Sequence, residues 1–125
     1  MSEEKPSDLR DRTKQFALRI IRLFSALPSS TEAQVLGKQV LRSGTSVGAH
    51  YREAYRSRSD AEYVSKIEGG LEELEETAYW LELLGDSGLV VSERLANLRQ
   101  ETDELTAIFV ACSKTAKEKQ NRSKN

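Results

Sequence analysis

Residues 42–56 read RSGTSVGAHYREAYR and place two glycines inside a segment that otherwise has helical character. A stripe made mostly of small residues starts upstream of this segment and repeats every three or four positions, at Ala33, Gly37, Val40, Gly44, Val47, Tyr51 and Ala54. Each glycine inside a helix costs about 1 kcal/mol relative to alanine. That cost must be offset, and the usual compensation is the close approach of another helix. We therefore predict that Gly37, Gly44 and Gly48 allow close packing of a second helix; a local kink near Gly44 is the alternative.

Three further segments carry the same spacing of apolar residues, which is typical of near-parallel, gently supercoiled helices. The third segment shows it clearly, with Val64, Ile67, Leu71, Leu74, Ala78 and Leu81. Four such helices on one short chain predict an all-α four-helix bundle. The expected spans are 8–27, 30–57, 60–85 and 92–117. Because the connections between them are short, neighbouring helices should be antiparallel, in up-down-up-down order.

Capping signals mark where two of the predicted helices begin. Ser29 with Glu32, and Ser59 with Glu62, stand at the spacing of a capping box. Residues 1–7 are polar and are predicted to form a disordered N-terminal tail, and residues 118–125 a basic, polar C-terminal tail. The bundle itself is thus expected to occupy residues 8–117.

The composition argues against several classes of protein. No apolar run approaches the roughly 20 residues that span a bilayer, and the N-terminus lacks the apolar core of a signal peptide. The single cysteine, Cys112, cannot form an internal disulfide, so a cytoplasmic location is predicted. His50 is the sole histidine and has no ligand set around it in the sequence. We therefore expect no enzymatic activity, no metal and no cofactor.

The chain is nearly neutral, but its charges are segregated. Between Arg10 and Arg58 basic residues outnumber acidic ones by ten to three, whereas between Asp60 and Glu104 acidic residues outnumber basic ones by thirteen to three. The first helical hairpin should therefore be basic and the second acidic. These charges either belong to solvated faces, or the basic side binds the acidic side of another copy or a phosphate backbone.

A second apolar cluster in the third predicted helix lies outside its core stripe. Tyr79, Trp80 and Leu83 fall beside the stripe, so the core cannot take all three. An additional apolar face on a bundle helix usually marks a second packing partner. We predict that these residues belong to an oligomer interface; covering the end of the bundle is the alternative role for Trp80.

Two long segments resemble a known family. LRSGTSVGAHYREAYRSRS at residues 41–59, followed by KIEGGLEELEETAYWLELL at residues 66–84, is similar to the four-helix-bundle proteins encoded in intervening sequences of bacterial 23S ribosomal RNA genes. More distantly, the chain resembles the accessory proteins of diversity-generating retroelements. The resemblance implies a left-handed bundle assembled as a homopentameric ring. Its retroelement branch implies binding of RNA and of a reverse transcriptase through a basic surface.

The patterns and the resemblance together favour a non-enzymatic, ring-forming scaffold. Carried over to this sequence, the basic surface has Arg42, Arg52 and Arg56 as its candidates. These arginines would bind either carboxylates of a neighbouring copy, such as Glu72 and Glu76, or RNA. An adaptor that binds another protein and no nucleic acid is the alternative function.

Overall fold

The computed structural model describes residues 6–123, which form four helices: α1 (Pro6–Ser25), α2 (Thr31–Tyr55), α3 (Asp60–Asp86) and α4 (Ser92–Ser123). This confirms the predicted all-α fold, and apart from the end of α4 the helix boundaries agree with the predicted ones to within two residues. No helix in this part of the chain is long and apolar enough to span a bilayer.

Helix α4 extends further than predicted. The segment 118–125, predicted to be a polar tail, is helical as far as Ser123. Lys117 Nζ lies 2.7 Å from Glu68 Oε2, and Lys119 Nζ lies 3.9 Å from Asp60 Oδ1, so ion pairs to α3 accompany this final stretch. Lysine, glutamate and glutamine also favour helix despite their polarity. Of the predicted N-terminal tail, residues 1–5 lie outside the described residues, and α1 already begins at Pro6.

One predicted cap is observed and the other lies one residue further along. Ser59 Oγ accepts a hydrogen bond from the Glu62 backbone N–H at 3.1 Å, as predicted. At the start of α2 the cap is Ser30, whose Oγ accepts from the Ala33 N–H at 3.3 Å. The prediction of Ser29 was therefore wrong, because the helix begins one residue later than its capping-box spacing indicated.

Cross-helix contacts show that sequential helices are antiparallel, because residue numbers rise on one helix as they fall on the next. Between α1 and α2 the contacts are Ile20 with Gly44 and Thr13 with Gly48. Between α2 and α3 they are Ser43 with Thr77 and His50 with Gly69. Between α3 and α4 they are Gly70 with Phe109 and Gly85 with Leu95. The order is thus up-down-up-down, and α1 runs parallel to α3. The left-handed supercoil stays a prediction.

Side chains from all four helices meet in one buried core that includes Phe16, Val40, Leu74 and Phe109. Of the helix pairs that touch, α1 and α4 have the smallest contact. An ion pair links them: Arg12 Nε donates to Glu101 Oε2 at 2.8 Å, and Nη2 donates to Glu101 Oε1 at 2.7 Å. Such paired hydrogen bonds fix geometry as well as charge, so Arg12 holds this edge of the bundle together.

The glycines of α2 face α1 at short range. A Cβ atom added at Gly44 would lie 2.7 Å from Ile20 Cγ1, and one at Gly37 would lie 2.5 Å from Leu27 Cδ1. Both distances are shorter than real Cβ contacts, so neither position accepts a side chain unless its neighbour moves. At Gly48 the nearest atom, Thr13 Oγ1, is 3.2 Å away, and a small shift of Thr13 would make room.

Candidate assembly interface

Arg42 is already paired within the chain. Its Nη1 donates to Glu73 Oε1 at 3.2 Å, and its Nη2 donates to Glu76 Oε1. The hydrogen bond to Glu73 is the main reason that the pKa of Arg42 is raised above its usual value. Arg42 and Glu76 therefore satisfy each other across α2 and α3, which leaves them less available to a neighbouring copy than the sequence suggested.

Arg52 and Arg56 are exposed, and among the described residues neither side chain has an ion-pair or hydrogen-bond partner. Lys14 on α1 and Lys38 on α2 are exposed and unpaired in the same sense. Ile21 on α1 is a large apolar side chain that is 42 % exposed. We call these five residues the basic face: Lys14, Ile21, Lys38, Arg52 and Arg56.

An opposite charge lies along the outer side of α3. Four carboxylates and one aromatic ring recur every three or four residues, at Glu72, Glu75, Tyr79, Glu82 and Asp86. All five side chains are exposed, and within residues 8–122 none of the four carboxylates forms an ion pair. We call this set the acidic stripe. Tyr79, at 52 % exposure, is its only apolar member.

The three residues predicted for an oligomer interface differ in their surroundings. Tyr79 is exposed, whereas Trp80 and Leu83 are partly buried, and Trp80 packs against the core cluster. The Tyr79 and Trp80 rings contact each other with centroids 5.2 Å apart and a 55° tilt. The buried Trp80 Nε1 has no hydrogen-bond acceptor in the described part of the chain. Tyr79 is thus the aromatic side chain of this group that is most open to a partner.

His50 and Cys112, the two residues with possible chemical roles, are packed against other parts of the bundle. His50 packs over Gly69, where an added Cβ would lie 2.8 Å from the ring, and its Nε2 is 3.8 Å from Glu73 Oε2. Burial raises the pKa of the Cys112 thiol, which makes it a poorer nucleophile at neutral pH. Among the described residues no group of three His, Cys, Asp or Glu side chains could hold a metal ion.

Sequence reasoning missed Lys14, Ile21 and Lys38 as members of a surface. A signal was present, because Lys14 and Ile21 are one heptad apart and lie off the apolar stripe of α1. This pattern alone does not indicate an interface, because single exposed apolar residues are common on protein surfaces. Only the exposure of Ile21 together with unpaired lysines on two adjacent helices makes the set distinctive.

The fold and the surface define a class of protein: a small antiparallel four-helix bundle that carries opposite charges on separate exposed faces. Residues 6–111 match the 23S rRNA-intervening sequence protein family. The chain therefore belongs to that family, as its two long motifs suggested.

A solved structure agrees with this assignment. The crystal structure of a protein of unknown function from the S23 ribosomal protein family of Bacteroides thetaiotaomicron is similar to this chain, with a TM-score of 0.82 and 34 % sequence identity. The similarity covers 87 % of this chain and 97 % of that one. No curated protein matches the chain at a significant level.

Proposed function

We propose that this chain is a non-enzymatic cytoplasmic scaffold whose copies assemble into a homo-oligomeric ring. The observation that supports it is the unpaired charge on both the basic face and the acidic stripe. The bundle satisfies Arg12, Arg42 and Lys117 with carboxylates of its own. It leaves Arg52 and Glu72 exposed without such partners among the described residues. Opposite charges on two surfaces of one chain favour contact between copies.

The expected contact joins two different surfaces of neighbouring copies. A contact of this head-to-tail kind either closes into a ring or continues as a filament. The family resemblance implies closure with five copies, which makes the proposed particle a homopentamer. Each copy then presents its basic face to one neighbour and its acidic stripe to the other.

RNA is a second candidate partner for the basic face. Arg52 and Arg56 are two exposed guanidinium groups that have no carboxylate partner within the part of the chain that the structure describes, and arginine suits phosphate recognition. We favour self-assembly because every copy also carries the acidic stripe, at the same concentration as the basic face. A protein adaptor without a nucleic-acid role is the remaining alternative.

The substitution Arg52→Glu separates these functions. Under self-assembly we expect the molar mass from light scattering coupled to size exclusion to fall. Under RNA binding the mass should persist while affinity for bulk RNA drops. The logarithm of that affinity should then also depend less steeply on the logarithm of salt concentration, by about one unit per lost contact to duplex.

Arg94→Glu is the matched control, because Arg94 is an exposed arginine on α4 outside the basic face. It should alter neither mass nor RNA affinity. If Arg52→Glu also changes neither quantity, Arg52 is a solvated surface charge and the proposed use of the basic face is wrong.

A further inference from the structure

Ile21 and Tyr79 lie at nearly the same height along the bundle. Two cross-helix contacts set the heights: Ile20 against Gly44, and Ser43 hydrogen-bonded to Thr77 at 2.8 Å. Ile21 lies one residue above the level of Gly44, because it follows Ile20. Tyr79 lies three residues above that level, because Ser43 is one residue above Gly44 and Tyr79 follows Thr77 by two. A helix rises about 1.5 Å per residue, so Ile21 and Tyr79 differ in height by about 3 Å. Each is an exposed large apolar side chain in a charged surface, at 42 % and 52 % exposure.

The two side chains point away from each other. Arg12 marks the side of α1 that faces α4, and Ile21 follows it by nine residues. At about 100° per residue, that spacing places Ile21 about half a turn around α1 from Arg12. On α3, Lys66 marks the side that faces α2 through its ion pair with Glu53. Tyr79 lies about 140° around α3 from Lys66 by the same rule.

The charged residues match in height as well. Lys14 precedes Ile21 by seven residues, and Glu72 precedes Tyr79 by seven. Because α1 and α3 are parallel, both lie about 10 Å below their apolar neighbour. On the antiparallel helix α2, Lys38 lies about 9 Å above the level of Gly44. Glu82 on α3 is about 9 Å above that same level.

We infer that copies of the chain pack side by side in register, with the acidic stripe of one in the groove between α1 and α2 of the next. Tyr79 then contacts Ile21, with Glu72 beside Lys14 below it and Glu82 beside Lys38 above. The inference rests on the proposed ring and specifies the surfaces that form it.

Matched heights favour closure over a filament. A cyclic ring about an axis parallel to the bundle leaves every copy at the same height, so its two contacting surfaces must lie at one level. A large offset between them would add a rise at each step and produce a helix of copies. Three matched pairs on opposite sides of the molecule meet this condition.

Disulfide cross-linking tests the register. Ile21→Cys and Tyr79→Cys are combined in one chain that also carries Cys112→Ala. A disulfide needs Cα atoms within about 7 Å, so positions on opposite sides of one bundle cannot join. Under mild oxidation we expect a covalent ladder that extends beyond the dimer on a non-reducing gel. Mixing chains that carry one cysteine each should give dimers, whereas either chain alone should give none.

The control moves one cysteine along the same stripe. In the pair Ile21→Cys and Asp86→Cys, the second cysteine lies about 10 Å higher than Tyr79, and cross-linking should be several times weaker. A chain that keeps its oligomeric mass but fails to form the ladder, or cross-links better through the control, overturns the register and leaves the ring standing. Dimers from either single-cysteine chain alone would show a self-complementary contact and overturn it too. The remaining outcome concerns the ring itself. If the wild-type protein and the Cys112→Ala protein are both monomeric, and the latter is fully helical by circular dichroism, both the ring and the register are wrong.

Discussion

A Gly44→Leu substitution is expected to destabilise the bundle by about 1–3 kcal/mol, at the upper end of that range, because no space exists for the side chain. Three side-chain carbons of Ile20 lie within 3.1 Å of the position that a Cβ would take. Ile20 cannot easily yield, since it is fully buried and its β-branch restricts rotation. Thermal or urea unfolding followed by circular dichroism measures the loss.

Gly44→Ala distinguishes close packing from a kink. With Ile20 in the way, alanine should lower the melting temperature, although alanine is intrinsically the better helix former by about 1 kcal/mol. Gly85→Ala is the control in α3, because there the nearest atom, Leu95 Cδ1, is at an ordinary 3.4 Å. That change should be neutral or stabilising. A higher melting temperature for Gly44→Ala would contradict the close-packing account.

Reversing two charges of the acidic stripe, with Glu72→Lys and Glu82→Lys together, should reduce the oligomer to the 14.1 kDa chain. In the inferred register each new lysine faces a lysine, and like charges across a contact cost several kcal/mol. Combining this variant with Lys14→Glu and Lys38→Glu restores opposite charges at both positions. Light scattering should then show the larger mass again.

The control for this swap is Glu93→Lys with Glu118→Lys, which makes the same change in net charge at exposed sites outside the stripe. It should leave the mass unchanged. If the stripe variant keeps the wild-type mass while the helical signal is intact, these two carboxylates do not lie in the contact.

The fold could be read from the sequence because its signals are local. Apolar spacing in α3 and the cap at Ser59 depend on neighbours within a turn or two of helix, and the structure agrees with both. At residues 118–123, where composition was used instead of helix propensity, the predicted end of α4 came too early. The motifs in α2 and α3 indicated the family, and residues 6–111 match that family.

The candidate interface was harder to predict from the sequence, because the pairing of charged side chains depends on tertiary structure. Arg42 and Arg52 look equivalent in the sequence, yet Arg42 bonds to Glu73 and Glu76 while Arg52 has no such partner in the described chain. Ile21 gives little local signal, and its shared height with Tyr79 follows only from contacts through three helices. Exposure also separates Tyr79 from Trp80, which one-dimensional spacing could not do.

The mass of the wild-type protein in solution tests the central claim most directly. Size exclusion coupled to light scattering, at micromolar concentration and low salt, should give about five times the 14.1 kDa of one chain, and the mass should fall as salt screens the contact. A mass of 14.1 kDa at every concentration and salt tested would contradict the account.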